Sequence, residues 1–144
     1  MKKMMMLGLA MMCTSCLCTK IARPPNPSEM AKEWLGFCGC ETFYLNLAAN
    51  GTGTCVYMLP NETVGAMSTV TRWKLEGRKI SIVCTGVTYP DETISITGLA
   101  SGSYIDANIK GKSTACPWDC KGTLRRVDDI LREIKVGRNG SGRK

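Results

Sequence analysis

Between residues 42 and 126 the chain is cut into short β-rich runs by glycine, asparagine and Pro-Asp turns, roughly one turn every 8–12 residues. Asn50-Gly51 separates residues 42–47 from residues 54–59, and both turn residues tolerate positive φ, so the two runs are predicted to pair antiparallel. Glu76-Gly77 repeats the device, with Trp73, Leu75, Ile80 and Ile82 alternating with polar neighbours. Ile94 and Ile96, and then Ile105, Ala107 and Ile109, each mark one face of a further run, and "CKGTLRRV" supplies the last. About seven strands in this pattern predict an all-β fold, an antiparallel meander shaped as a small barrel or a sandwich.

Helices are expected only at the ends. In "PSEMAKEWLG" Ser28 is placed to cap, Glu29 lies in the first turn, Met30, Trp34 and Leu35 share a face, and Gly36 terminates, which predicts a helix of about two turns. In "VDDILREIKV" Ile130, Leu131 and Ile134 stand at helical spacing and predict a short helix packed on the sheet. The remainder, "VGRNGSGRK", reads as a flexible, solvated basic tail, with attraction to an anionic envelope surface as a lesser expectation.

The chain opens with Lys2 and Lys3 and continues without a charge from Met4 to Met12. A cationic start before a short apolar run is the pattern of a secretory leader, and the run is well below the ~20 apolar residues that span a membrane. The organisation that follows is a signal peptide over residues 1–15, a linker segment over 16–28 that includes "ARPPNPS", one domain over 29–134, and a basic tail over 135–144. The domain has room for one modest core. Of the net charge of +7, nearly all sits on Lys2, Lys3, Lys135, Arg138, Arg143 and Lys144, so the domain itself is close to neutral and no nucleic-acid-binding patch is expected.

Outside the leader region six cysteines remain: Cys38, Cys40, Cys55, Cys84, Cys116 and Cys120. An even number in a small exported domain reads as a disulfide framework. In a simple meander Cys84 falls opposite about residue 70 and Cys55 flanks the same strand, so the two stand about 9.5 Å apart, beyond the roughly 7 Å that a disulfide bridges. The preferred pairing brings Cys38 and Cys40 to Cys116 and Cys120, tying the first strand to the last, which are neighbours in a closed barrel. Cys55 and Cys84 are then a strained third pair or two buried thiols.

Thr14 and Ser15 before Cys16, at the end of the apolar run, resemble the lipobox of bacterial lipoproteins. That resemblance implies that Cys16 carries the lipid and that the domain is held at the cell envelope; plain secretion is the alternative. Cys18 has no assigned role. A short helix followed by "NGTG" and by the Trp73 to Ile82 run is similar to the lipocalin-like barrels of small envelope lipoproteins, which implies a cup for a small apolar ligand or none.

Histidine is absent, so no Ser-His-Asp or Cys-His arrangement and no His-based metal site can be drawn. Glu41, Asp91, Glu92, Asp106 and Asp119 are scattered over turns and polar strand faces and read as solvated surface. Neither "CGC" nor "CPWDC" has the C-x-x-C spacing of thioredoxin-type chemistry. Six of the nine methionines sit in the leader region, which leaves no methionine box for copper. Sequons at Asn50, Asn61 and Asn139 matter only in a secreted eukaryotic chain. No catalytic residue, metal or cofactor is expected. The first reading is a non-enzymatic envelope lipoprotein, a binding or structural module for a small apolar ligand or another envelope protein. The second is a secreted, cysteine-stapled inhibitor or effector presenting "VTYPDET" or "TACPWDCK", and the third is a thiolate metal or redox protein.

Overall fold

A computed structural model describes residues 23–58, 63–112 and 118–140; the leader, Cys16, Cys18, Asn61 and Cys116 lie outside them. The chain forms eight strands in consecutive order, all antiparallel, closed into one barrel. They are β1 (Glu33–Cys38), β2 (Glu41–Leu47), β3 (Gly53–Met58), β4 (Ala66–Glu76), β5 (Lys79–Gly86), β6 (Thr93–Ala100), β7 (Tyr104–Lys112) and β8 (Trp118–Arg126). Two helices flank them, α1 (Pro27–Met30) and α2 (Val127–Gly140). The predicted hairpins form where the turns placed them: Leu47 pairs with Gly53 and Glu76 with Lys79, with Gly51 and Gly77 both at positive φ.

The strand count is eight rather than seven because the second half of the predicted N-terminal helix is strand. α1 covers only four residues, capped by Asn26 in a box with Glu29 and not by Ser28. Trp34 and Leu35 belong to β1, where Trp34, Gly36 and Cys38 alternate inward, a period of two that helical spacing does not have. Trp34 is fully buried, and its indole N–H donates to the Met30 carbonyl at 3.1 Å, so α1 closes that end of the barrel as a plug. At the other terminus α2 continues through Gly140, so the first residues of the expected flexible tail are helical.

Alternation drives the core. Phe43, Leu45, Ile94, Ile96, Ile105 and Ile109 point inward with no exposed surface at all, so no water-sized space adjoins any of them. The interior that these side chains line is filled rather than hollow.

Closure is the delicate step. β1 and β8 are matched over only three residue pairs, Trp34 with Arg126, Leu35 with Arg125 and Gly36 with Leu124. The backbones approach closely beyond that: a Cβ on Gly122 would stand 2.2 Å from the Phe37 carbonyl oxygen, so only glycine fits there. Where the pairing ends, Cys38 and Cys120 are joined by a disulfide with Cα atoms 5.7 Å apart and a sequence separation of 82. The first strand is thereby tied to the last, as the cysteine spacing predicted.

A loop of that length gives a cross-link its largest entropic effect, about 4 kcal/mol. Replacing Cys38 and Cys120 together by serine is expected to lower unfolding stability by up to that amount, read from urea titrations, and to remove the sensitivity of the wild-type midpoint to reductant. Gly122→Val is expected to cost about 2 kcal/mol or more by forcing the seam apart.

Candidate functional site

In a consecutive meander the connections after odd strands gather at one end and those after even strands at the other. The odd end carries the β1–β2 turn, the loop from residue 63 to 65 that leads into β4, and the β5–β6 loop over residues 87–92. The even end carries α1, the tight turns at Gly51 and Gly77, and the start of α2. The candidate site is the odd end, because there a buried carboxyl joins side chains from separate strands in one polar network.

Glu92 is the central group, buried to 2 % exposure. Its Oε2 accepts from the Tyr57 hydroxyl at 2.6 Å and its Oε1 accepts from the Ser68 hydroxyl at 3.1 Å. One carboxyl thereby joins β3, β4 and the residue before β6. A carboxylate without partners in such a place would cost several kcal/mol, and two charge-assisted bonds offset that. Tyr57 is held in turn by Phe43, with ring centroids 5.7 Å apart and near-parallel planes. The expectation that Glu92 is solvated is therefore wrong. The parity of β6 carried the missing signal: Ile94 and Ile96 face inward, and Glu92 continues the same face one step further.

Glu41, on β2, contributes a second carboxyl. Burial and then the charge of Glu92 push it above the usual carboxylate range, and its Oε2 is a buried oxygen with no hydrogen-bond partner among the described residues. Asp106 and Asp119 behave as predicted for surface acids: Asp106 accepts from the exposed Thr123 hydroxyl at 3.0 Å and Asp119 pairs with Lys110 at 3.4 Å in solvent.

The cysteines separate into three situations. Cys38 and Cys120 are bonded and hold the seam at the odd end. Cys40 is a free, exposed thiol on the β1–β2 turn. Cys55 and Cys84 are free and fully buried, and they flank β4 in the register the sequence implied, opposite Ser68 and Val70. Their backbones are two strand spacings apart, too far to bridge, yet the side chains meet inside the curved wall. The hydrogen bond to Cys84, burial and the nearby charges hold the Cys55 thiol well above its ordinary range, so at neutral pH it is protonated and lacks the nucleophilic form. Among the described residues no three potential ligands cluster to hold a metal ion.

Over this buried polar layer the rim is apolar. Met58, Val64, Met67, Val87 and Tyr89 are exposed between 39 % and 77 %. The β5–β6 loop is not loose: Val87 and Thr88 both donate their N–H to the Met67 carbonyl, and the Thr88 hydroxyl accepts from the Met67 N–H at 2.9 Å. A further bond from the Glu92 N–H to the Tyr89 carbonyl, at 3.0 Å, closes the loop on itself.

No protein-family model matches the chain, and no curated protein matches it in sequence. Among solved structures it is similar to pallilysin (Tp0751) of Treponema pallidum, with a TM-score of 0.51 and 9 % identity, covering 72 % of this chain and 85 % of that one. At that identity the likeness is one of fold, a β-barrel shared with a bacterial protein.

The raised Glu41 pKa makes stability depend on pH with a definite sign. Its contribution is complete below the unfolded carboxyl value and is lost as pH rises through the higher folded value. Glu41→Gln is therefore expected to flatten the fall of the urea midpoint above pH 4.5 and to be more stable than wild type at neutral pH. Tyr57→Phe removes one of two donors to the buried Glu92 and is expected to cost about 1.5–3 kcal/mol in the same titrations.

Proposed function

We propose that the protein is a non-enzymatic lipoprotein of a bacterial envelope, anchored through a lipid on Cys16, whose barrel is a binding module that presents its odd end to another protein. The observation that carries this reading is the polarity of the barrel. Trp34 at the start of β1 lies opposite Arg126 at the end of β8, so the linker from Cys16 arrives at the even end. The apolar rim of Met58, Val64, Met67, Val87 and Tyr89 stands at the opposite end, pointed away from an anchored surface. A group of exposed large apolar side chains on a small domain is a recognised mark of a contact surface.

Two further features support it. The filled interior favours a surface partner over a small apolar ligand held in a lipocalin-like cup. The disulfide at the odd end braces that rim, and in an oxidising compartment such a bond persists. The reading as a secreted inhibitor or effector draws on the same loop, since residues 87–92 are pinned by backbone bonds and present Val87 and Tyr89. The lipid on Cys16 separates the two.

Intact-mass analysis of the mature protein is expected to show an acyl group, and Cys16→Ala is expected to abolish it and to move the protein from the membrane to the soluble fraction. A photo-crosslinking side chain at Tyr89 is expected to capture one defined envelope protein in intact cells, while the same group at Arg78 on the even end captures none. Equal capture from both positions, or a fatty acid that co-purifies in stoichiometric amount, would count against the protein-partner reading.

A further inference from the structure

α2 leaves β8 without an intervening loop, and its apolar side chains are not arranged as those of a helix packed on a sheet. At about 100° per residue, Val127, Ile130, Leu131 and Ile134 fall on one stripe, with Val136 on the opposite side. Asp129 and Glu133 stand one turn apart on the side away from that stripe, and Glu133 is ion-paired with Arg125 on the outer face of β8. The helix is thus fastened to the barrel wall by charge. Its apolar stripe is left open as it lengthens, with Leu131 49 % and Ile134 50 % exposed. Helices of globular domains ordinarily turn such a stripe inward.

What covers it can be argued from charge and position. Beyond Glu133 the sequence carries only cations, Lys135, Arg138, Arg143 and Lys144. The exposed Lys74 and Lys79 beside the β4–β5 turn add two more at the same even end. A second copy of the chain would set these cations against their own kind. An anionic surface would not, and the even end is where the linker arrives: the residues from Cys16 to Asn26 reach at most about 35 Å.

We propose that α2 is a second membrane contact, with Leu131 and Ile134 seated among anionic headgroups of the bilayer that carries the Cys16 lipid. The inference rests on the anchored reading above. A short apolar stripe with cations beside it binds an interface weakly by itself. The lipid on Cys16 supplies the residence at the bilayer that the helix alone lacks, and every added cation raises binding about fivefold.

The test uses the full-length protein from its envelope, reconstituted into phosphatidylcholine vesicles with or without phosphatidylglycerol, and carrying an environment-sensitive naphthyl side chain at Ile134 or at Val136. The probe at Ile134 is expected to shift to the blue only with phosphatidylglycerol, to revert in high salt, and to lose most of the shift when Lys135→Ser and Arg138→Ser are combined. The probe at Val136 is expected to report water throughout. An acylated, vesicle-bound protein whose Ile134 probe stays in water overturns the helix contact and leaves the anchor standing. A blue shift at Ile134 without acyl mass on Cys16 supports the helix contact and overturns the anchor. Absence of both overturns both.

Discussion

The barrel depends on one seam. Seven of its eight strand junctions are hairpins, closed by short local connections, and each would form wherever its turn residues allow. The eighth joins β1 to β8 and has only three matched pairs, so it cannot be held by ladder hydrogen bonds to the same degree as the others. Two features substitute for the missing pairs. The bare backbone of Gly122 lets the strands come into contact, and the disulfide from Cys38 to Cys120 fixes the contact where pairing stops. Without the seam, β1 and β8 would be two unpaired edges and the inward face would open to water.

The network of buried side chains that links separate strands lies at one end of the barrel. The even end is sealed by Trp34 beneath α1 and by Trp73, whose indole N–H donates to the Ala48 carbonyl at 2.8 Å. The odd end has no aromatic plug of that kind among the described residues. Its interior is completed by Glu92, Tyr57 and Ser68, which fill the space with a hydrogen-bonded network instead. The network also anchors the loop that precedes β6, so the apolar rim above it sits on a rigid base.

Much of the fold was legible in the sequence. The turns at Asn50-Gly51 and Glu76-Gly77, the alternating isoleucines and the spacing of the cysteines were sufficient for an all-β antiparallel meander with its first and last strands tied together. The opposition of Cys84 to residue 70 followed from counting back from one turn. What could not be read was tertiary. "PSEMAKEWLG" satisfies a helical pattern in isolation, and its second half becomes strand because β2 and β8 offer it partners on both sides. Glu92 looks like a surface acid in its loop, and its burial depends on two hydroxyls from strands 24 and 35 residues away. Sequence position indicates the face such a residue occupies; it does not indicate whether donors wait there.

The consecutive strand order also dictates how the chain reaches this state. Neighbouring hairpins bring together residues close in sequence, whose loops close quickly and at small entropic cost. The junction of β1 with β8 spans nearly the whole domain and has the least pairing to reward it, so it is the natural last event, the zipping of a curled sheet into a ring. Oxidation of Cys38 with Cys120 then acts as a latch on a nearly finished object, and a nascent chain carries two bare edges until the ring has closed.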